Sequence, residues 1–254
     1  MKTKRIERIE KYIKDNQTVS IDELTKKFDV SINTIRRDIN ILEEKNSIKK
    51  VYGGVTFLGK QQAIDFEERN IENFDKKKYI GKLASEFIEQ DDIVYIDTGT
   101  TTIHLLENLD LNLTFTIITN SLDVINKSSQ FKNATIFLVG EKYSPRTRSF
   151  TGIKNSNIIQ KFNIKKAFMS ATGLNLKNGL TNAELDENII KQTIIDRSET
   201  KFALTDSSKI GKSTLLTYAN LKDIDYIITD KQLDNEINDY CLTHKIEIIT
   251  QIKQ

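Results

Sequence analysis

The feature that most constrains the fold is an alternation, from residue 76 onward, between short runs of β-branched residues and stretches with helical periodicity. Roughly 10–15 residues separate most of these runs, which is typical of a parallel sheet covered by helices. We therefore expect a mostly parallel α/β domain over residues 76–254. The strand candidates are Ile93–Ile96, Phe115–Thr119, Thr135–Val139, Ala167–Ser170, Phe202–Thr205, Tyr226–Thr229 and Ile246–Ile249.

A different pattern, three short helices followed by a hairpin, occupies residues 1–58. Ser20 and Glu23 have the spacing of a capping box at the start of the second helix, and Ser31 can cap the third. Gly53-Gly54 between two strand-like segments indicates a β-hairpin. This order is that of a winged helix-turn-helix. Residues 59–75 are polar with scattered apolar residues and are interpreted as a linker that includes a lead-in to the next domain.

Charge is unevenly distributed along the chain. The first 60 residues contain 14 basic and 9 acidic residues, whereas the remainder contains 24 basic and 27 acidic residues. The N-terminal segment, called the head below, is therefore basic, whereas the rest of the chain is mildly acidic. This distribution favours a polyanionic partner for the head.

One face of the third helix has the residue types that read DNA bases. Four polar residues lie opposite the apolar stripe of Ile35, Ile39 and Leu42, and the second helix of such a pair enters the major groove. Arginine bonds guanine and asparagine bonds adenine through two hydrogen bonds each. The predicted contacts to double-stranded DNA are Ser20, Ser31, Asn33, Thr34, Arg36, Arg37, Asn40, Lys49 and Lys50. A winged helix that binds only another protein is the alternative.

The composition argues against several other classes of protein. A single cysteine, Cys241, excludes an internal disulfide and favours a reducing cytoplasm. The first residues contain no apolar run typical of a signal peptide, and no run approaches the length of a membrane helix. His104 and His244 lack neighbours at metal-ligand spacing, so neither a metal nor another cofactor is expected.

A polar loop, Asp97-Thr98-Gly99-Thr100-Thr101-Thr102, follows the first predicted strand of the second domain and opens a helix. A helix N-terminus with glycine and threonine hydroxyls suits a phosphate, whereas Asp97 suits sugar hydroxyls because two anions repel. A simple capped helix start is the alternative. Gly211-Lys212-Ser213 lacks the upstream glycine of a nucleotide-binding loop.

Further polar clusters follow other predicted strands, and ligands bind at the carboxyl ends of strands in open α/β sheets. We expect one shared pocket, with Arg148 and Lys209 as its positive charges. The predicted effector-binding residues are Asp97, Thr98, Gly99, Thr100, Thr101, Thr102, Asn120, Ser121, Arg148, Thr172, Gly173, Asp206 and Lys209.

The stretch TVSIDELTKKFDVSINTIRRDINILEEKNSIKKVYGGV resembles the N-terminal signature of the DeoR family of bacterial sugar-metabolism repressors, above all in TIRRD and YGGV. The likeness continues through IDTGTTT, TNSLD, TRSFTG, KAFMSATG and GKSTLLTYA, and these stretches resemble family members that govern myo-inositol catabolism. One departure is Asn46, where the family usually has glycine. Asparagine tolerates the same left-handed cap conformation.

This resemblance implies a repressor of a sugar or polyol catabolic operon that a phosphorylated sugar or inositol-derived effector relieves. It implies a sensor domain similar in fold to sugar-phosphate isomerases and coenzyme A transferases, and a homo-oligomer, dimer or tetramer, on paired operator half-sites. The pocket residues named above, apart from Arg148, match the family's motifs. Gly179, Leu180, Thr181 and Glu187 are assigned to the far side of the pocket.

An enzyme is the second hypothesis: a sugar-phosphate isomerase fused to a DNA-binding head. Such catalysis needs a positioned base, and Glu187 and Asp206 are the candidates. Nothing in the sequence marks either carboxylate as activated, so the chain is expected not to be an enzyme.

Overall fold

The computed structural model describes residues 2–16, 18–44, 48–51, 54–57, 66–152 and 156–252. The chain forms two compact units, Met1–Gln62 and Ala63–Gln254. Within the described ranges, no helix is both long and apolar enough to cross a membrane. The boundaries predicted from the sequence, 1–58, 59–75 and 76–254, remain a prediction.

The first unit combines three helices with a small antiparallel sheet of strand order β1-β3-β2. Its apolar residues recur at helical spacing, and Ile9, Ile13, Leu24, Ile35 and Ile39 are buried together. Burying each such side chain contributes about 1.5–3 kcal/mol, so the shared core holds the helices. The elements are α1 (Lys2–Asn16), β1 (Thr18–Ser20), α2 (Ile21–Phe28), α3 (Ile32–Glu44), β2 (Ile48–Val51) and β3 (Gly54–Phe57).

The predicted capping of α2 is half confirmed. The Ser20 hydroxyl accepts a hydrogen bond from the Glu23 backbone N–H at 3.1 Å. The second bond of a capping box, from the Ser20 N–H to the Glu23 carboxylate, was wrongly predicted. The Glu23 carboxylate instead accepts a hydrogen bond from the Tyr12 hydroxyl at 2.9 Å. Asp29 ends α2 in the left-handed conformation, and Ser31 caps α3 as predicted through the Thr34 N–H.

The wing contains a third strand that the sequence did not reveal. β3 pairs with the predicted partner β2 and also with β1, so that Gly54 lies opposite Ser20. A Cβ on Gly54 would stand 2.5 Å from the Val19 carbonyl oxygen, and this close approach requires glycine. Asn46 and Gly53 lie outside the described residues.

The second unit is built on a seven-stranded, all-parallel sheet of order β15-β14-β12-β9-β4-β5-β6. All seven predicted strands are in it. Two of them have the predicted bounds, and the other five differ by one to four residues at an end. Its strands and the smaller ones are β4 (Ile93–Ile96), β5 (Phe115–Thr119), β6 (Ala134–Leu138), β7 (Lys142–Ser144), β8 (Ser149–Thr151), β9 (Ile164–Ser170), β10 (Gly173–Asn175), β11 (Gly179–Asn182), β12 (Ser198–Leu204), β13 (Leu216–Ala219), β14 (Tyr226–Ile228) and β15 (Glu247–Ile249).

Helices cover the sheet, and two apolar cores form against it. Successive residues of β4 point to opposite faces, so Tyr95 lies in one core and Val94 and Ile96 lie in the other. The helices are α4 (Phe66–Ile71), α5 (Phe74–Ser85), α6 (Leu122–Ser128), α7 (Ser156–Ile159), α8 (Leu185–Arg197) and α9 (Asn235–Thr243). Short 3₁₀ turns span Thr102–Asn108, Ser207–Lys209 and Leu221–Asp223.

Two local features were not predicted from the sequence. The loop after β4 leads into the 3₁₀ turn Thr102–Asn108 rather than an α-helix. Residues 66–75, which were interpreted as linker, contain α4, the left-handed Asn73 and the start of α5. The sequence did not indicate this short helix, because its stretch is polar with only isolated apolar residues. A helix this short is stabilised mainly by packing against residues that are distant in sequence.

Candidate functional site

The polar face of α3 is free to meet a ligand. Asn33, Arg36, Arg37 and Asn40 are all exposed, whereas Ile35 on the opposite face is fully buried. Within the described part of the chain, no ion pair involves Arg36 or Arg37. The arrangement suits entry of α3 into a DNA groove.

Asp38, in the same helix, has an internal role that the sequence analysis missed. Its carboxylate is 1% exposed and accepts hydrogen bonds from the Arg5 guanidinium at 2.8 and 3.2 Å, which ties α3 to α1. The sequence did contain a signal for this role, because Asp38 lies beside the apolar positions Ile35, Ile39 and Leu42. An acidic residue at such a position is buried, and a buried charge needs a partner.

The other predicted DNA contacts have varied surroundings. The Ser31 and Thr34 hydroxyls lie 3.0 Å apart at the start of α3, and Ser20 is engaged as the cap of α2. Lys50 is exposed and forms an ion pair with Glu43. Lys49 lies in β2, but its side chain is outside the described residues.

In the second unit, a cavity opens at the carboxyl ends of the neighbouring strands β4, β9 and β12, the edge predicted from the sequence. Parallel strands bring the loops that follow them to one edge of the sheet. The lining residues are Arg69, Glu72, Lys77, Thr98, Gly99, Thr100, Thr101, Thr147, Ser170, Ala171, Thr172, Asn182, Glu187, Lys191, Thr205, Asp206 and Lys209.

The cavity brings together seven of the thirteen predicted effector residues: Thr98, Gly99, Thr100, Thr101, Thr172, Asp206 and Lys209. Glu187, assigned with the far side of the pocket, also lines it. A Cβ on Gly99 would stand 2.2 Å from the Ser170 hydroxyl, so this glycine allows the loop to pack against the end of β9.

Asp97 and Thr102 lie at the same loop but outside the lining. Asp97 accepts hydrogen bonds from the Ser170 backbone N–H at 2.8 Å and from the Ser170 hydroxyl at 2.5 Å, and it forms an ion pair with Lys191. The Thr102 hydroxyl donates to the backbone carbonyls of Asp97 and Gly99. Both residues therefore shape the loop.

The other four predicted residues are used by the fold. Asn120 accepts from the Tyr95 hydroxyl at 2.6 Å and donates to a backbone carbonyl, while Ser121 caps α6. Gly173 begins β10, where a Cβ would stand 2.6 Å from a backbone oxygen. Arg148 lies outside the cavity lining and binds Asp123 through Nε and Nη2 of its guanidinium, so its predicted contact with the effector remains a prediction.

Three basic residues that the sequence analysis missed line the cavity: Arg69, Lys77 and Lys191. Lys77 and Lys191 are 4% and 3% exposed, and both lie among the apolar residues of helices. A lysine between buried apolar positions was the available signal, since lysine is almost never buried without a partner. Arg69 lies in the segment interpreted as linker and gave no such signal.

Burial lowers the pKa of Lys77 to about 8, and the nearby Lys209 and Arg69 act in the same direction. Asp206 and Glu72 act against it. Burial also lowers the pKa of Arg69, against the opposing effect of Glu187. The cavity therefore offers cations to an anionic group, with threonine hydroxyls and carboxylates beside them for the hydroxyls of a polar ligand.

A winged helix with an exposed arginine face, joined in one chain to an α/β domain with a charged cavity, defines a DNA-binding transcriptional regulator. Two family models match the chain: the DeoR-like helix-turn-helix domain at residues 5–61 and the DeoR C terminal sensor domain at residues 72–231. The chain belongs to the DeoR family and is a DNA-binding transcriptional repressor.

Curated relatives match over nearly the full length. The chain is 49% identical to the HTH-type transcriptional regulator IolR of Bacillus subtilis, over 98% of this chain and 99% of that protein. It is 29% identical to the lactose phosphotransferase system repressor of Staphylococcus epidermidis, over 98% and 97%. Among solved structures, ribose 5-phosphate isomerase A of Methanocaldococcus jannaschii matches 55% of each chain at 16% identity, with a TM-score of 0.40.

Proposed function

We propose that this regulator represses a sugar or polyol catabolic operon, that of myo-inositol, and that a phosphorylated intermediate of the pathway relieves repression by binding the sensor cavity. One observation carries the proposal: Lys77, Lys209 and the Thr98–Thr101 loop line a single cavity. Ammonium groups and hydroxyl donors suit a phosphate, while Glu187 and Asp206 suit polyol hydroxyls.

The basic wing of the head follows the DNA backbone. The head contacts operator DNA through Ser31, Thr34 and the exposed polar residues of α3, which are Asn33, Arg36, Arg37 and Asn40. A homo-oligomer, dimer or tetramer, would present paired heads to paired half-sites. The effector would bind the sensor more tightly in the state whose heads do not fit the operator, since a ligand shifts an equilibrium only by its differential affinity. Coupling of this kind is typically about 1–3 kcal/mol.

The cavity acts as a binding site rather than a catalytic one. Glu187 accepts a hydrogen bond from the Ser149 hydroxyl at 2.6 Å, and Asp206 accepts from the Ser208 N–H at 2.9 Å. Both carboxylates thus have structural partners. An assay for turnover of phosphorylated keto-sugars tests this directly, and turnover would favour the isomerase hypothesis.

Operator binding is tested with Arg37→Ala in a fluorescence anisotropy titration of promoter fragments from neighbouring catabolic genes. Loss of one base contact weakens binding by about 1–3 kcal/mol, or roughly 5- to 150-fold. Lys11→Ala, at an exposed position of α1, removes the same charge from a different helix and serves as the control. Equal affinities of Arg37→Ala and the unmodified chain would contradict the assignment, and weak salt dependence would favour a protein-interaction module.

Effector binding is tested with Thr205→Val, in a calorimetric screen of phosphorylated inositol-breakdown intermediates. Thr205 lines the cavity, and its hydroxyl is buried and has no hydrogen-bond partner in the described part of the chain. Thr229, at the end of β14, is equally buried and unpartnered but lies outside the lining, so Thr229→Val is the matched control. We expect about 2- to 10-fold weaker effector binding for Thr205→Val alone. Binding that is equal in both variants would argue against this cavity.

A further inference from the structure

The strand β6 lies at one end of the seven-stranded sheet, and its outer edge is open. The Val139 N–H, directly after β6, donates to the Thr119 carbonyl of β5 at 2.9 Å. Because the backbone groups of successive strand residues point to opposite sides, Ala134, Ile136 and Leu138 point theirs away from β5. Among the described residues, β6 pairs with β5 alone, and no hydrogen bond joins these outward groups to another element.

The edge of β6 lacks the features that usually prevent a sheet edge from pairing with another chain. Those features are a very short strand, a charged residue or proline on the edge, or a β-bulge. The five residues of β6, ATIFL, include neither a charge nor a proline, and their register with β5 is continuous. At the opposite edge, β15 has three residues, and only Ile248 points its backbone groups outward. Of these two edges, β6 is the one that can accept a further strand.

Exposed apolar side chains accompany the outward backbone groups of β6. Phe137 and Leu138 are 44% and 46% exposed, and they point to opposite faces of the sheet. The Phe137 ring packs against Phe162 with ring centroids 5.3 Å apart, yet much of its surface remains in contact with water. A strand added beside β6 would cover both side chains and pair the backbone groups at the same time.

The edge of β6 is complementary to itself. When two copies lie antiparallel about a twofold axis, Ile136 can lie opposite Ile136 of the second copy, and Ala134 opposite Leu138. Each opposed pair of outward residues then exchanges two hydrogen bonds, so every outward N–H and C=O group of β6 has a partner. In the same register Phe137 lies opposite Thr135, and a pair of an aromatic and a β-branched residue stabilises neighbouring strands. One register therefore satisfies the backbone and covers the apolar side chains.

The charges on either side of β6 favour the antiparallel arrangement. Lys132 precedes the strand, Glu141 follows it, and both are exposed. In the antiparallel pair, Lys132 of each copy comes to the end of the strand at which Glu141 of the other copy lies. A parallel pair would instead bring like charges together, which is unfavourable. A second copy of this chain thus matches both the charges and the apolar pattern of the edge.

We propose that β6 is the surface through which this repressor associates with itself, and that two copies join their β6 edges antiparallel into one continuous sheet. The contact uses the same surface of both copies, so it closes at two. It rests on the proposed function in one respect, because that function calls for paired heads. The new element is the interface and its register.

Opposite and like charges at positions 135 and 137 test the register. Thr135→Lys with Phe137→Glu places opposite charges across the interface, whereas Thr135→Lys with Phe137→Lys places like charges there. Both double variants lose the Phe137 ring, so they differ only in the sign of one charge. In sedimentation velocity of the full chain over a dilution series, the first should assemble at least about tenfold more tightly than the second. The second should lose one step of assembly relative to the unmodified chain.

The proposal is overturned if the unmodified chain is a monomer at every concentration, or if the like-charge variant assembles as the unmodified chain does. If neither double variant assembles, Leu138→Lys decides. This single substitution adds a charge to the edge while Phe137 stays, and it should weaken assembly at least about tenfold. Leu242→Lys is the matched control, because Leu242 is 77% exposed on α9. Melting curves show that each variant folds, and equal assembly of these two variants would overturn the proposal.

Hydrogen exchange identifies what covers the edge. The amides of residues 134, 136 and 138 should exchange several-fold more slowly in the assembled chain than in the dilute monomer. Equal protection in the monomer would mean that another segment of the same chain occupies the edge, and no protection in the assembled chain would mean a different interface. Either result overturns the proposal.

The proposed function and the β6 interface fail separately. The proposed function fails if no phosphorylated polyol releases operator DNA from the assembled chain. If such a polyol releases the operator and Leu138→Lys still assembles like Leu242→Lys, only the β6 interface fails.

Discussion

The ion pair beneath the cavity allows a quantitative test of how the sensor is held together. Asp97 and Lys191 are 1% and 3% exposed, and they come from the end of β4 and the middle of α8. Burial acts to raise the pKa of Asp97, but Lys191 and the two Ser170 donors outweigh it and hold this pKa below its ordinary value. The Asp97 carboxylate is therefore a buried anion, and its negative charge is compensated by the ammonium group of Lys191.

Lys191→Met keeps the length of the side chain and removes its charge. Removing one partner of a buried pair leaves an uncompensated charge and typically costs about 3–5 kcal/mol. We expect this loss in the free energy of unfolding, measured by urea titration with near-ultraviolet circular dichroism, to which the buried Tyr95 and Tyr218 contribute. For a unit of this size, the loss corresponds to a melting temperature about 6–20 °C lower.

The double variant Asp97→Asn, Lys191→Met decides whether charge is the cause. The asparagine oxygen still accepts from Ser170 but carries no charge, so the double variant should be more stable than Lys191→Met alone. Lys222→Met, at an exposed position, controls for loss of a lysine. Losses that simply add, or a loss below about 1 kcal/mol for Lys191→Met, would refute the argument.

Two further predictions concern the head. Gly54→Ala places a methyl group 2.5 Å from the Val19 carbonyl oxygen. We expect it to lower the stability of the wing by about 1–3 kcal/mol and to weaken operator binding. An unchanged melting curve would contradict the close approach. Ser20→Ala removes the cap of α2 and should cost about 1 kcal/mol in thermal unfolding, whereas Thr25→Ala, in the interior of α2, leaves the cap intact and serves as the comparison.

The sequence determined the elements whose formation depends on local pattern. The period of apolar residues predicted α3 and all seven strands of the parallel sheet, because helix and strand periodicity are properties of neighbouring residues. The motif at the end of β4 and the polar face of α3 were likewise visible, since turn and capping residues act over a few positions.

Only the tertiary structure decided which polar groups remain available to a ligand. Asn120 and Arg148 have the chemistry of binding residues, yet Tyr95 and Asp123, 25 positions away in each case, occupy them. Lys191 meets Asp97 across 94 positions. Such pairings depend on which elements become neighbours in the folded chain, and the local sequence does not determine this. For the same reason, the polar segment before α5 gave no sign that it forms a wall of the cavity.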